Sequence, residues 1–168
     1  MKRPFAAALL LLSLGGCFGY HIGPVQPYYL RAVHTIAVPT FENKTLIPRI
    51  SELVTDSVIK QFQQDGTYRI VDGDQADAIL KGVIRRIVRA PARSVRGNVL
   101  ATAEFNLTMR VRCILVDRSG KVIAALPEVT GTTSFFVGPD ITTDERQALP
   151  LAAEELATRL VSQLSEGW

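Results

Sequence analysis

An alternating segment spans residues 104–116, with the sequence EFNLTMRVRCILV, and places an apolar side chain at every second position. Because successive side chains of a β-strand point to opposite faces, this pattern predicts a long strand with one buried and one polar face. The turn sequence DRSG follows at residues 117–120. It predicts a hairpin into a further strand over 121–137, interrupted by Pro127 and Gly131.

Further strands are predicted upstream of this segment. Residues 33–39 are rich in β-branched side chains and close at a proline, and residues 68–71 form a second short apolar run. A longer strand over 78–89 follows, and we expect a loop at 90–98 to join it to the alternating segment. These two strands would then be antiparallel neighbours.

Two amphipathic helices are predicted, one in the first half of the chain and one at its end. Apolar residues recur at helical spacing over 48–65 and again over 149–164. Thr142 and Glu145 have the spacing of a capping box, which favours a helix start close to them. Pro150 lies inside the second pattern, so it should mark the start of the packed helix or kink it.

The order of these elements, β-α-β-β-β-β-α, indicates an α+β fold. We expect a two-layer sandwich in which two amphipathic helices pack on one face of a mostly antiparallel or mixed sheet. The other sheet face would meet solvent or a partner. The chain has 168 residues, of which 47% are hydrophobic, and this suits a single compact domain.

The first 16 residues have the pattern of a signal peptide that ends before Cys17. Lys2 and Arg3 precede an apolar run over residues 5–14, which is too short for the roughly 20 residues that a membrane-spanning helix needs. A cysteine directly after Leu-Gly-Gly resembles the bacterial lipobox, in which the thiol is acylated. An ordinary secretory signal or an intact amino-terminal anchor is the alternative.

The lipobox interpretation predicts the domain organisation and the compartment. Residues 1–16 would be removed, residues 17–32 would form a lipidated tether, and residues 33–168 would fold as one domain. Phe18 stands where the sorting rule for such lipoproteins uses aspartate to retain them in the inner membrane. We therefore expect an outer-membrane anchor with the domain on the periplasmic face.

The sequence predicts no catalytic centre, metal site or cofactor. His21 and His34 are the only histidines, and neither stands at ligand spacing from a cysteine or a carboxylate pair. The acidic turn at 72–77 lacks the oxygen spacing of a calcium loop. Cys113 lies in the apolar phase of its strand and is expected to be a buried structural thiol.

The overall charge does not favour nucleic-acid binding, but one segment is locally basic. Without the leader, the 19 basic residues fall to 17, against 16 acidic ones. Eight basic residues nevertheless lie within 32 positions where Glu104 is the sole acid, and we expect them on two neighbouring strands and their connecting loop: Lys81, Arg85, Arg86, Arg89, Arg93, Arg96, Arg110 and Arg112.

This basic cluster has two interpretations. Arginine forks suit phosphate or carboxylate groups, which favours an anion-binding site. The alternative is a solvated sheet face with cross-strand ion pairs. Strict alternation gives Arg85 and Arg89 one strand phase and Arg86 the other, so the cluster should not share a single face.

Several short segments together resemble the LptE family of lipopolysaccharide-assembly lipoproteins. They are the CFGYHIG run at 17–23, IAVP at 36–39 with FENKT at 41–45, ADAILKG at 76–82, and ALPLA at 148–152. The resemblance covers nearly the whole mature chain, and the opening Cys-x-Gly-Tyr-His is its most distinctive part.

The resemblance implies an outer-membrane lipoprotein that plugs and helps assemble the β-barrel of an LptD-like transporter. It also implies binding of lipopolysaccharide on its way to the outer leaflet, with the basic cluster as the site of contact. A different class of function remains open, namely an outer-membrane lipoprotein that regulates a peptidoglycan synthase by protein contact alone.

Overall fold

The structure, a computed structural model, describes residues 26–95 and 98–167. A 3-10 turn at Tyr28–Leu30 precedes nine elements in the following order: β1 (Thr35–Ala37), β2 (Glu42–Asn43), α1 (Ile50–Asp65), β3 (Arg69–Ile70), β4 (Ala78–Val95), β5 (Asn98–Asp117), β6 (Val122–Ala125), β7 (Val129–Phe136) and α2 (Ile141–Ser165).

The seven strands of the described part form one mixed sheet with the order β3-β1-β4-β5-β6. β2 pairs with β4, and β7 pairs with β5 beyond the end of β6. β1 is parallel to β3 and β4, whereas β5 is antiparallel to each of its neighbours β4, β6 and β7. The predicted α+β sandwich with a mixed sheet is confirmed.

Both helices pack on one face of this sheet and form the core with it. The alternating residues Leu107, Met109, Val111, Cys113 and Leu115 of β5 are buried beneath the helices. The Tyr68 hydroxyl ties the end of α2 to the sheet, since it donates to the Leu164 carbonyl at 2.7 Å. Leu30 is also fully buried, so the packed structure begins within the segment expected to be a tether.

Residues 90–95 and 98, in the segment expected to be a loop at 90–98, are instead strand and form the far part of a long β4–β5 hairpin. Pro91 lies within β4 and stands opposite Phe105. Proline has no amide hydrogen, so a strand tolerates it where that amide would face no neighbouring strand. β2 pairs with β4 only at Val83 and Ile84, so the outer side of β4 has no described neighbour at Pro91.

Gly131 was expected to interrupt the last strand but lies inside β7. A Cβ atom at this position would overlap the Ala152 carbonyl oxygen and lie 2.6 Å from Leu156 Cβ. The glycine therefore allows α2 to approach the backbone of β7. Pro127 does separate two strands, as predicted, and both of these strands pair with β5.

The helix ends agree with the predictions in part. Gly66 follows α1 with φ 75° and donates to the Phe62 carbonyl at 3.0 Å. The predicted capping box at α2 is wrong, because Asp140 is the N-cap and its carboxylate accepts from the Thr142 amide at 3.0 Å. α2 runs on through Pro150, so the proline is not its start.

Neither α1 nor α2, the two α-helices of the described residues, combines the length and hydropathy of a membrane-spanning helix.

Candidate functional site: the open face of the sheet

The sheet face opposite the helices is exposed and carries most of the predicted basic residues. On β5, the even-numbered side chains from Asn106 to Ile114 point to this face, because the odd-numbered ones are buried. We call this surface the open face. Five of the eight predicted cations are exposed on it, and we call them the basic group: Lys81, Arg85, Arg86, Arg110 and Arg112.

Strand register brings the basic group together. Arg86 stands directly opposite Arg110, and Val83 stands opposite Arg112, two positions further along β5. Lys81 stands opposite Ile114 in the same phase. Like charges placed directly opposite on neighbouring strands repel, so the Arg86–Arg110 pairing opposes the stability of the sheet.

A β-bulge corrects the predicted strand phase of the arginines. Pairing passes from Ile84 opposite Val111 to Arg86 opposite Arg110, which leaves Arg85 as the extra residue. Both Arg85 and Arg86 therefore stand against Arg110. The expectation that Arg85 and Arg89 share a face is wrong, because the bulge reverses the alternation between them.

Arg89 lies on the helix side of the sheet. It stands opposite the buried Leu107, and its Nη1 donates to Glu145 Oε2 of α2 at 2.6 Å. Its guanidinium also lies 5.0 Å from the centre of the Phe105 ring. These contacts give Arg89 a structural position between β4, β5 and α2, away from the basic group.

Arg93 also lies apart from the basic group, in the far part of the hairpin. Its Nε is 3.5 Å from Glu104 Oε2 on β5. Arg96 and Cys17, which the sequence singled out, lie outside the described residues.

Glu128 supplies a negative charge that the sequence pattern does not connect to the basic group. Its two carboxylate oxygens lie 3.5 Å from Arg110 Nη1 and 3.9 Å from Arg112 Nε. Glu128 precedes β7, which pairs beside β5, so only the strand order places it next to these arginines. Lys81, Arg85 and Arg86 make no ion pair with a described residue. The ion-pair interpretation thus accounts for only part of the group.

A cleft of about 460 Å³ opens beside the basic group where β2 meets β4. Val83 and Ile114 contribute apolar side chains to its wall, and Lys81 and Arg112 contribute cationic ones. Glu42 lies at the same cleft and forms an ion pair with Lys44. The cleft can therefore take a group that is partly apolar next to one that is anionic.

Cys113 and Asp77, two other residues with reactive side chains, contribute to the packing and hydrogen bonding of the fold. Cys113 is buried, and burial raises the pKa of its thiol to about 12. Asp77 of the acidic turn accepts hydrogen bonds from the amides of His34 and Thr35 at 3.1 and 3.0 Å. These bonds lower the pKa of Asp77 and hold the start of β1 beside β4. Within the described ranges, no three His, Cys, Asp or Glu side chains group as metal ligands.

Solved structures share this two-layer architecture. A protein from Xanthomonas campestris superposes with a TM-score of 0.58 at 16% identity, over 86% of this chain and 90% of its own. A minor lipoprotein from Acinetobacter baumannii gives 0.53 at 16% identity, over 79% and 92% of the two chains. The PelC dodecamer from Paraburkholderia phytofirmans gives 0.52 at 18% identity, over 84% and 94%. At these identities the similarity establishes a common fold.

The fold therefore places the chain among small α+β sandwich domains of a type that bacterial lipoproteins also adopt. The profile of the lipopolysaccharide-assembly family LptE matches residues 33–164, which is most of the chain. The chain belongs to this LptE family. No curated protein sequence matches it at a significant level.

Proposed function

We propose that this protein is a non-enzymatic outer-membrane lipoprotein that plugs an LptD-like β-barrel, assists its assembly and binds lipopolysaccharide through the open face of its sheet. Residues 1–16 would be removed, and acylated Cys17 would hold the folded domain at the periplasmic face of the membrane. Several acyl chains on one cysteine provide a stable anchor, since each buried methylene contributes about 0.8 kcal/mol.

The arrangement of Arg85, Arg86 and Arg110 is the observation that carries the proposal. A bulge and a cross-strand pair concentrate three guanidinium groups on one exposed surface, although their mutual repulsion opposes folding. An anionic ligand bound between them would remove that repulsion. Lipopolysaccharide carries phosphate groups, and the planar guanidinium fork binds phosphate with two parallel hydrogen bonds.

The cleft next to the basic group supports a ligand larger than an isolated phosphate. Lys81 and Arg112 border it together with apolar Val83 and Ile114. A phosphorylated glycolipid offers anionic and apolar groups close together and so suits both parts of this surface. Each hydrogen bond to a charged group contributes about 1.5–3 kcal/mol.

The barrel partner is proposed from the family and from the shape of the domain. The described chain is one sheet with helices on a single side, so a broad polar surface and the outer strand edges remain accessible. Such a domain can fill the interior of a barrel while its open face stays available to a passing ligand.

Purification from detergent-solubilised outer membranes tests this function. We expect wild-type protein to copurify with an LptD-like barrel and to bind lipopolysaccharide less tightly as salt screens the charges. A triple variant Lys81→Gln, Arg85→Gln, Arg86→Gln should lose most lipopolysaccharide binding but retain the barrel. Copurification with a peptidoglycan synthase in place of the barrel would instead support the regulatory function.

A further inference from the structure

The outer edge of β7 exposes backbone groups in a regular pattern. The Val137 amide donates inward to the Ala103 carbonyl at 3.0 Å, whereas the Thr132 amide donates to the Glu155 carboxylate on α2. Amides alternate in direction along a strand, so those of Ser134 and Phe136 point outward like that of Thr132. They have no hydrogen-bond partner among the described residues.

Carboxylates of α2 cap the amides on either side of this open pair. Glu155 accepts from Thr132, and Asp144 accepts from the Gly138 amide at 2.7 Å. Four outward amides thus follow each other at two-residue spacing. Those of Thr132 and Gly138 are bonded to carboxylates, and those of Ser134 and Phe136 between them are open. Edge strands are normally protected against pairing, and here the protection stops at Ser134 and Phe136.

A groove between β7 and α2 lies along the open amides. It has a volume of about 240 Å³, and Ser134, Phe136, Ala148 and Leu151 are among the residues that line it. Phe136 and Leu151 are 67% and 54% exposed, so the groove offers two large apolar side chains to a partner. We call the two open amides and this groove the β7 slot.

We propose that the β7 slot binds an extended segment of the barrel protein, which adds to the sheet as a further strand beside β7. This inference rests on the proposed function, because that function supplies the partner. Backbone donors at two-residue spacing match an extended chain, and the groove can take an apolar side chain of that segment. An edge strand with a helix beside it is a geometry that peptide-binding domains use for strand addition.

Two other occupants fit the slot less well. A fatty acyl chain has no acceptor for the amides of Ser134 and Phe136, so these groups would lose water without compensation. A second copy pairing through the same edge would bring Asp144 and Glu155 of both chains together, and these like charges repel. An extended segment from a different protein avoids both costs.

Amide-resolved hydrogen exchange tests the inference on the full-length lipoprotein, alone and in its purified complex with the barrel. We expect the Ser134 and Phe136 amides to exchange about 100-fold more slowly in the complex. The Thr132 amide, which is already bonded to Glu155, should change much less. Unchanged exchange at Ser134 and Phe136 in an intact complex would overturn the inference and leave the proposed function standing.

A proline variant provides a second measurement. Ser134→Pro removes an outward amide and leaves the ladder to β5 in place, so the edge should fold but not accept a strand. Ala125→Pro on β6 is the matched control, because the Leu126 amide donates inward to the Cys113 carbonyl and the Ala125 amide therefore points outward. We expect Ser134→Pro to reduce copurified barrel about tenfold and Ala125→Pro to leave it unchanged.

The remaining outcomes separate the alternatives. Ser134→Pro protein with a native melting temperature and undiminished barrel would contradict strand addition. If this variant does not fold, the exchange experiment decides alone. Protection that appears without the barrel and grows with protein concentration would assign the slot to a second copy, and protection by lipopolysaccharide micelles alone would assign it to lipid. Failure of the wild-type protein to copurify any barrel would overturn the proposed function and this inference together.

Discussion

Arg86 of β4 and Arg110 of β5 stand directly opposite each other on the open face of the sheet, and the bulge adds Arg85 to the same place. Glu128 neutralises Arg110 in part, with 3.5 Å between its Oε1 and the guanidinium Nη1. Arg86 has no such partner among the described residues. Its removal should therefore separate the contribution of this charge to binding from its contribution to stability.

Arg86→Gln should weaken lipopolysaccharide binding without destabilising the protein. Loss of one charged hydrogen bond corresponds to a decrease in affinity of roughly 10- to 100-fold. The free energy of unfolding should stay unchanged or rise by about 0.5 kcal/mol, since an opposed like-charge pair is relieved. Binding titrations and urea unfolding of the same preparations measure both quantities.

Arg89→Gln is the matched control for that experiment. Arg89 comes from the same strand but contacts Glu145 and the Phe105 ring on the helix side. The variant should keep its affinity for lipopolysaccharide and lose about 1 kcal/mol of stability. Equal losses of affinity in the two variants would show that binding responds to total charge and not to the open face.

Cys17→Ser should abolish acylation and leave a precursor or a mislocalised protein. Serine has no thiol, and the acyl chains of the proposed membrane anchor would therefore be missing. Mass spectrometry of the amino terminus and fractionation of the cell envelope measure this outcome. A normally acylated Cys17→Ser protein in the outer membrane would disprove the lipobox assignment.

Gly131→Ala should destabilise the fold by about 3 kcal/mol, a large effect for one methyl group. The added Cβ would overlap the backbone of α2 at Ala152, and a backbone segment cannot move aside as a side-chain end can. Thermal unfolding gives the loss.

Gly66→Ala serves as the comparison, because its φ of 75° is strained for alanine but no atom beyond its own chain neighbours lies within 4 Å of the new Cβ. It should cost about 1 kcal/mol. A smaller effect at Gly131 than at Gly66 would contradict the close packing of α2 on β7.

Stability should fall as the pH rises from about 9 towards 12. Burial raises the pKa of Cys113 from 9.0 to about 12, and burial followed by the charge of Asp65 raises that of Tyr68 from 10.0 to about 12. In this range the unfolded chain releases both protons and the folded chain keeps them, so unfolding becomes more favourable with each step in pH. Urea midpoints measured across the alkaline range test this.

Cys113→Ala identifies the part of this decline that belongs to the thiol. The variant loses the group that titrates first, so its midpoint should stay constant up to about pH 10, where Tyr68 begins to contribute. Parallel decline of the variant and the wild type from pH 9 would show that Cys113 is not the source.

The alternating pattern of β5 and the helical stripes could be predicted because burial follows local periodicity. Features that depend on contact with a neighbouring strand or helix could not be predicted in this way. The bulge at Arg85 changes the face of the side chains from Arg86 to Pro91 in β4, and the local sequence does not indicate it. Pro91 and Gly131 are common strand breakers, yet one lies on an unpaired side of its strand and the other makes room for α2.

The charged residues of the site show the same limit of prediction from local sequence. Arg89 and Arg86 are three residues apart and chemically identical, but one is bound to α2 and the other lies on the open face. Glu128 meets Arg110 and Arg112 only because β7 pairs with β5 beyond the end of β6. These partners depend on the order of the strands in the sheet, and the sequence pattern does not give that order.

The long β4–β5 hairpin also has a consequence for how the chain reaches its native state. Its register pairs residues as close along the chain as Val95 and Asn98, whereas β1 pairs with β4 across some forty intervening positions. We expect the hairpin to form early and the parallel strands to dock last. The paired arginines of the hairpin would then be exposed to anionic groups before the core is closed.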